Sequence, residues 1–318
     1  QNSYSKQMSN PLKQLSPRFS LAYALGEKSS LNFNIGQYFQ LPAYTVMGYR
    51  NNNNELVNKN NKITYINNKH LVFGIETNPG NFSKLTLEGF YKKYDNYPFI
   101  LEDNISLANL GGDFGVIGNE AVSSTSEGRS YGVEFLAQKK LNKSFYGIMA
   151  YTWVRSEFKD KNNKFIPSAW DNRHIISLTG GFKFKKDWEI GMKFRFSGGS
   201  PYTPYNDTIS SLTSVWDINS FGVFDYNQLN GVRLRSNHGL DIRIDKKWYW
   251  KKVTLNVYLD IQNLYNFQAE TPRSLIATRD SDGNLLTIPN SNPERYDLKY
   301  IDNTAGTVLP SIGLQFEF

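Results

Sequence analysis

The stretch KVTLNVYLDIQN, residues 252–263, decides the fold. Every second residue is apolar: Val253, Leu255, Val257, Leu259 and Ile261. The intervening positions are mainly polar: Thr254, Asn256, Tyr258, Asp260 and Gln262. An amphipathic helix would repeat its apolar residues about every 3.6 positions, whereas a β-strand alternates its two faces. This segment therefore predicts a strand with one apolar face and one polar face.

Ten other segments alternate in the same way. The eleven predicted strands lie near residues 17–25, 29–40, 68–77, 82–94, 129–140, 143–157, 171–186, 188–198, 238–247, 251–263 and 308–318. Most are longer than the roughly 5–6 residues typical of strands in soluble proteins. About 9–11 tilted residues are needed to cross a bilayer. Strand length therefore favours a membrane barrel.

The connections between these strands alternate between short and long. The short ones are 26–29, 78–81, 141–143, 185–187 and 246–250, and the long ones are 41–67, 95–128, 158–170, 199–237 and 264–307. An antiparallel outer-membrane barrel has short periplasmic turns and long external loops, whereas a soluble sandwich has no reason to sort its loops in this way. The sequence thus predicts an all-β, transmembrane antiparallel β-barrel. Phe318 would lie on the periplasmic side.

The amino-acid composition excludes several other classes of protein. The 318 residues carry a net charge of +7, contain 15% aromatic residues and lack cysteine. No apolar run reaches about 18 residues, which excludes a transmembrane helix, and the missing cysteines exclude a disulfide scaffold or thiolate metal site. The positive charge concentrates in the short turns, where it would meet lipid head groups rather than nucleic acid. These turn lysines are Lys139, Lys140, Lys185, Lys186, Lys246, Lys247, Lys251 and Lys252.

The polar faces of the strands carry charges of both signs. Such charges would be costly in a tightly packed interior but are tolerated in a wide, hydrated lumen. They are Glu76, Glu88, Glu134, Glu189, Lys193, Arg195, Asp241, Arg243, Asp245 and Asp260. Tryptophans at strand ends are expected to form an aromatic girdle at the membrane interface, although ordinary packing at a hairpin would also place them there. These are Trp153, Trp188, Trp248 and Trp250.

Eleven strands do not close a barrel whose two ends lie on the same side. An open sheet would leave two unpaired edges, which lipid does not tolerate. Either a further strand lies within residues 1–15, which alternate poorly, or more strands precede Gln1. We favour the second alternative, in which the chain is the C-terminal half of a larger barrel.

Seven motifs, spread in order over nearly the whole chain, carry a family resemblance. They are PRFSLAYAL (17–25), LNFNIGQYFQLP (31–42), GRSYGVE (128–134), IPSAWDNRHIISL (166–178), SGGSPYTPY (197–205), DIQNLYN (260–266) and GLQFEF (313–318). With these motifs the chain resembles the C-terminal barrel half of TonB-dependent outer-membrane receptors of the kind common in Bacteroidetes. The resemblance implies a barrel of 22 strands around an N-terminal plug. Residues 1–318 would supply the second half of the barrel, and no plug is recognisable in them.

The resemblance also implies a function and partners. The expected function is the import of a scarce nutrient (a chelate, peptide, vitamin or glycan) from the cell surface through the outer membrane. The TonB–ExbB–ExbD machine would drive it through the plug. A surface lipoprotein partner, as in the glycan-uptake branch, ranks lower because that branch looks less similar. The final strand looks like the signal read by the barrel-assembly machinery, with Ile312, Leu314, Phe316 and Phe318 on its apolar face. No cofactor is expected.

Ligand contacts are expected in the outer loops and upper lumen. The long connection 199–237 carries Tyr202, Tyr205, Trp216 and Tyr226, together with Phe221 and Phe224. Aromatic rings on a loop could stack on a ligand, and they could equally pack the loop against its neighbours. Arginines could bind an anionic group or pair with neighbouring carboxylates. The arginines in question are Arg195, Arg233, Arg235 and Arg243, of which Arg195 and Arg243 are the preferred candidates.

No enzyme or metal site is predicted. The stretch 280–284, DSDGN, echoes part of a calcium loop but lacks the required glutamate, so a hairpin turn at Asp282–Gly283 is favoured. His70, His174 and His238 are far apart, and no nucleophile motif accompanies them. The remaining alternatives to a receptor are a structural subunit of an envelope complex and a passive porin-like channel.

Overall fold

The fold is built from long antiparallel strands, in a computed structural model that describes residues 8–110 and 117–318. The strands are β1 (Arg18–Ala24), β2 (Ser29–Gln40), β3 (Ile66–Gly80), β4 (Ser83–Ile100), β5 (Ile105–Ser106), β6 (Val122–Asn142), β7 (Phe145–Lys159), β8 (Phe165–Pro167), β9 (His174–Lys183), β10 (Trp188–Ser197), β11 (Pro201–Tyr202), β12 (Val232–Arg233), β13 (Asn237–Tyr249), β14 (Thr254–Gln262), β15 (Ala269–Ala277), β16 (Leu298–Ala305) and β17 (Leu309–Glu317).

Short helices occur outside the sheet. The α-helices are α1 (Tyr44–Gly48), α2 (Val57–Asn60), α3 (Leu107–Leu110), α4 (Asp207–Ser210) and α5 (Thr213–Asn219), and the 3₁₀ helices are Pro11–Gln14, Lys185–Asp187 and Tyr226–Gln228. No helix among the described residues combines the length and the apolar character needed to cross a membrane. Residues 8–17 contain no strand, and residues 1–7 lie outside the described part of the chain.

Eleven strands follow one another in a single antiparallel path. The order is β1-β2-β3-β4-β6-β7-β9-β10-β13-β14-β17, and each strand pairs with its neighbours in this order. This path confirms all eleven strands predicted from the sequence. Within the described residues β1 and β17 each pair on one side only, so the sheet has two open edges.

The two ends of the sheet differ in the length of their connections, as predicted. Turns of two to four residues join β1 to β2, β3 to β4, β6 to β7, β9 to β10 and β13 to β14. The other connections are long and contain the helices α1 to α5 and the short strands. Strand β6 has 21 residues, which at about 3.3 Å each gives roughly 70 Å, about twice the thickness of a bilayer core. The long-loop end therefore projects well beyond a membrane.

The strand faces also separate as predicted. Ile244 lies opposite Leu259 on the apolar face, whereas Asp245 lies opposite Tyr258 on the polar face. Polar-face charges pair across and along strands: the carboxylate of Asp241 lies 3.1 Å from Arg195, and Glu76 lies 2.8 Å from Lys84. Apolar-face side chains such as Leu71, Phe73, Leu87 and Leu314 are exposed and others are partly exposed, as a surface for lipid tails requires.

The buried apolar core lies in the long-loop layer rather than in the wall. One cluster, from three connections and the adjoining strand ends, comprises Val46, Ile63, Ile100, Ile105, Leu107, Val122 and Leu229. A second, smaller cluster comprises Trp216, Leu275 and Ala277. Since the wall residues need no protein partner in lipid, burial concentrates where the chain meets water. Packing of this core fixes the loops.

Three predicted girdle tryptophans lie at the short-turn end. Trp188, Trp248 and Trp250 are all partly exposed there, and the ammonium of Lys246 lies 5.1 Å from the ring centre of Trp248. Trp153 lies opposite His174, where β9 begins at the other end of the sheet. The tryptophans thus occupy two levels, as expected for the two interfaces of a membrane.

Candidate ligand-binding cleft in the long loops

Buried asparagine side chains tie the long loops together. The Asn230 amide donates to the backbone oxygens of Asn109, at 2.7 Å, and Pro167, at 2.8 Å. These three residues belong to three different connections. The amide of Asn58 makes similar bonds to the oxygens of Val46 and Glu120, both at 2.8 Å. Because a buried amide costs free energy unless it is bonded, these contacts select one arrangement of the loops.

A network of ion pairs adds to this support. Asp171 is completely buried, and its carboxylate contacts the guanidinium groups of Arg233 and Arg155. It also accepts a hydrogen bond from the backbone N–H of Ser156 at 2.8 Å. Arg155 also forms an ion pair with Glu157, at 2.8 Å. The connection after β10 is therefore joined electrostatically to the connection after β7.

These supported loops enclose a cleft of about 620 Å³. Four connections contribute to its lining, which includes six aromatic side chains. The rings are those of Trp170, Tyr202, Tyr205, Phe224, Tyr226 and Tyr300. A concave, aromatic site assembled from several loops is the usual form of a small-molecule binding site.

The rings of the cleft are held by specific contacts. Tyr205 stacks on Phe224 with centroids 4.9 Å apart and planes 10° apart. The Tyr300 hydroxyl donates to Asp207 at 2.5 Å, and burial together with this carboxylate raises the pKa of Tyr300. Tyr300 therefore stays a neutral phenol at physiological pH, with its ring 6.5 Å from that of Tyr205. These rings give the cleft a neutral aromatic surface beside its charged lining residues Glu270 and Arg273.

Tyr226 connects the cleft to a group of carboxylates. Burial, followed by the nearby charges of Asp103 and Glu120, raises the pKa of Tyr226 to about 12. Burial and neighbouring carboxylates also raise the pKa values of Asp103 and Glu120. The hydroxyl of Tyr226 is protonated at neutral pH and can donate a hydrogen bond.

Charged residues around the cleft are paired. Arg273 lies 2.8 Å from Asp302, and Arg235 lies 3.8 Å from Glu270. Both pairs are partly exposed, so each contributes little to stability. Their effect is to balance the charge at the rim.

The structure brings together three of the six preferred ligand residues: Tyr202, Tyr205 and Tyr226 line the cleft. Trp216 instead packs on Leu275 and Ala277, as the loop-packing alternative described. Arg195 pairs with Asp241, and Arg243 with Asp245, both in the sheet away from the cleft. All four candidate arginines have carboxylate partners, including Arg233 and Arg235.

Sequence reasoning missed several lining residues. Trp170 comes from the connection after β7, and Arg273 and Tyr300 come from the strands β15 and β16 in the last long connection. The aromatic content of the long connection 199–237 indicates a ligand site, whereas no comparable local pattern marks Trp170, Arg273 or Tyr300. The strands β15 and β16 pair across the intervening residues 278–297, and a pairing over that distance leaves no short-range pattern in the sequence.

The stretch 280–284 forms a hairpin tip, as favoured from the sequence. Arg279 and Leu285 form an antiparallel β-bridge, and Gly283 has a positive φ of 88°. The Asp280 carboxylate accepts the backbone N–H groups of Asp282 and Asn284 at 2.9 and 2.8 Å. Within residues 8–110 and 117–318 no cluster of three His, Asp or Glu side chains could hold a metal ion.

Comparison with known proteins identifies the family of this barrel wall. A family model described as "TonB dependent receptor-like, beta-barrel" matches residues 1–264. The chain belongs to this family. TonB-dependent receptor barrels are outer-membrane transport proteins and not enzymes, which places the chain in the outer membrane. No curated protein sequence matches it.

Solved outer-membrane receptors and transporters share the fold. The ferric citrate transporter FecA, in its unliganded form, is 13% identical with a TM-score of 0.59, over 95% of this chain and 38% of that chain. The ferric-catecholate import receptor Fiu of E. coli K12 is 13% identical with a TM-score of 0.57, over 94% and 34%. The ferripyoverdine receptor of Pseudomonas aeruginosa is 17% identical with a TM-score of 0.56, over 81% and 30%. The chain thus spans about a third of the length of these receptors.

Proposed function

We propose that this chain is the C-terminal half of a 22-strand outer-membrane receptor that imports a scarce nutrient. The missing half would supply the N-terminal strands that pair with the open edges of β1 and β17, together with the plug. Two open edges and a match to about a third of each solved receptor support this division. The motifs quoted from the sequence favour a receptor of the Bacteroidetes type.

The aromatic cleft carries the functional proposal. Its loops are fixed by the buried asparagines and by the Asp171 network, so the cleft exists before a ligand arrives. Preorganisation lowers the entropic cost of binding. In the proposed cycle the ligand is captured at Tyr202, Tyr205 and Tyr226 and then passes into the lumen as the plug rearranges.

The proposed partners follow from this cycle. The plug would couple to the TonB–ExbB–ExbD machine, the wall would contact the lipid bilayer, and the barrel-assembly machinery would recognise the strand β17. A surface lipoprotein is a further proposed partner if the ligand is a glycan. The solved relatives are named for iron chelates, so chelates come first in a search for ligands.

Uptake in whole cells tests the proposal. Cells that carry or lack the gene would be given radiolabelled ferric citrate, ferric catecholates, cobalamin and oligosaccharides in turn. We expect gene-dependent uptake of one class, abolished when the proton-motive force is collapsed. Uptake that persists without the proton-motive force would indicate a passive channel. No gene-dependent uptake, combined with fixed-stoichiometry co-purification of envelope proteins, would indicate a structural subunit.

A further inference from the structure

A groove of about 610 Å³ lies on the apolar face of the sheet, beside the short turns. It runs across β4, β6, β7, β9 and β10. Its floor is a cross-strand pair of glycines, Gly147 opposite Gly180. Its apolar walls comprise Leu85, Phe145, Met149, Leu178, Phe182, Ile190 and Met192.

The alternation of the strands shows which face the groove occupies. Met149 lies opposite Ala137 on one side and Leu178 on the other, all on the apolar face. Tyr146, which directly precedes Gly147, points to the opposite face, where its hydroxyl donates to Glu189 at 2.6 Å. The groove therefore faces lipid and not the charged lumen.

The depth of the groove places it near the periplasmic leaflet. Gly147 is the third residue of β7 and Gly180 is the seventh of ten residues in β9. Both lie within about 10 Å of the short turns along their strands. In an outer-membrane barrel short turns face the periplasm, so the groove meets the lipids of the periplasmic leaflet.

A positive charge stands at the end of the groove. Lys139 lines the groove, and its ammonium donates to the Ser83 hydroxyl at 3.1 Å. Among the described residues Lys139 forms no ion pair with a carboxylate. An ammonium and a hydroxyl beside an apolar groove match a phosphate joined to an acyl chain, since phosphate accepts charge-assisted hydrogen bonds.

We propose that this groove binds one glycerophospholipid of the periplasmic leaflet. An acyl chain lies over Gly147 and Gly180 between the apolar walls, and Lys139 with Ser83 holds the anionic phosphate. The site is independent of the nutrient cleft, which lies in the long loops at the opposite end of the sheet.

The test is native mass spectrometry of the full-length protein, purified from outer membranes and stripped of lipid, during titration with palmitoyl-oleoyl-phosphatidylglycerol. We expect one tightly held lipid per protein. Gly147→Leu fills the groove from its floor, where an added Cβ comes no closer than 3.3 Å to Phe145, and should weaken binding by at least about tenfold. Gly89→Leu puts the same side chain on the lipid face outside the groove, where no atom lies within 4 Å of an added Cβ, and should bind as wild type.

A second pair of variants tests the head group. Lys139→Gln should weaken phosphatidylglycerol binding about fivefold. Lys140→Gln, one residue further on the opposite face, should leave the affinity unchanged. The proposal would be overturned if Gly147→Leu bound phosphatidylglycerol as well as Gly89→Leu, or if Lys139→Gln bound it as well as Lys140→Gln. Retention of lipopolysaccharide in place of phosphatidylglycerol would also overturn it.

A measurement on the unmodified protein guards against misfolded variants. Phosphatidylglycerol with a photoreactive acyl chain should crosslink mainly to residues 145–149 and 178–182. Crosslinks distributed evenly over the lipid-facing wall would show only annular lipid and would overturn the proposal.

Discussion

Arg233 and Asp171, 62 residues apart in sequence, form an ion pair in which the Asp171 side chain is completely buried. Arg233 belongs to the connection after β10, and Asp171 to the connection after β7. The same guanidinium donates to the backbone oxygen of Gly199 at 3.0 Å. This one side chain therefore fixes both ends of its own loop and joins that loop to its neighbour.

Removal of Arg233 should loosen this loop. Arg233→Ala leaves the buried carboxylate of Asp171 with Arg155 as its remaining ion-pair partner, so the loss of stability should be below the roughly 3 kcal/mol of a fully uncompensated buried charge. Hydrogen exchange should accelerate over residues 198–236. Arg235→Ala is the control, because Arg235 is 86% exposed and lies 3.8 Å from Glu270. Equal exchange in the two variants would contradict an anchoring role for the buried pair.

Truncation of a cleft ring should weaken nutrient binding without unfolding the loop. Tyr202→Ala removes an aromatic surface from the cleft, and we expect a loss of about 1–2 kcal/mol of binding free energy. Isothermal titration with the nutrient found in the uptake experiment measures this loss. Phe221→Ala is the control, since Phe221 is an exposed ring of the same loop that does not line the cleft. If both variants bound the nutrient equally well, the cleft would not be the site of capture.

The carboxylates near Tyr226 should make the long loops sensitive to pH. The pKa values of Asp103 and Glu120 are raised in the folded protein by burial first and by neighbouring carboxylates second, Glu102 among them. Their stabilising contribution is therefore complete below the ordinary values of 3.8 and 4.5 and is lost as the pH rises through the raised values.

Exchange protection around residues 100–106 should consequently increase as the pH is lowered from 7 towards 4.5, the ordinary pKa of a glutamate, after correction for the intrinsic exchange rate. Glu120→Gln should flatten this dependence. Glu55→Gln, which changes an exposed carboxylate in another long loop, should leave it intact. A profile that Glu120→Gln does not alter would assign the pH effect to other groups.

The last strand should direct assembly of the barrel. Phe318 is 99% exposed at the end of the alternating apolar set Ile312, Leu314 and Phe316, where another protein can reach it. Phe318→Asp should lower the amount of folded barrel in the outer membrane severalfold, measured by heat-modifiable migration on gels. Glu317→Gln, on the polar face, should assemble normally. Normal amounts of the Phe318→Asp barrel would refute the assembly signal.

The strand path was predictable because each strand carries its own pattern. Val257 and Leu259 alternate with Tyr258 and Asp260, and a period of two survives wherever one face meets lipid and the other meets water. The alternation of short and long connections was also predictable, because successive strands of an antiparallel sheet are joined in sequence order. The eleven strands, their antiparallel order and their charged polar face all followed from these local signals.

The cleft was predictable only in part. The aromatic content of residues 199–237 indicated Tyr202, Tyr205 and Tyr226, but nothing local distinguished them from Trp216, which packs against Leu275 instead. Likewise, a sequence shows arginines without showing their partners. The pairing of Arg195 with Asp241 depends on the register of β10 against β13.

By itself, the sequence determined the wall of this protein: the strands, their two faces and the alternation of turns and loops. Tertiary structure decided how the long loops pack, through the buried amides of Asn58 and Asn230 and the carboxylate of Asp171. The physical reason is the range of the interactions. In a membrane wall each strand alternates because one of its faces meets lipid and the other meets water. The loop layer is instead held by contacts between residues as much as 121 positions apart, such as Asn109 and Asn230.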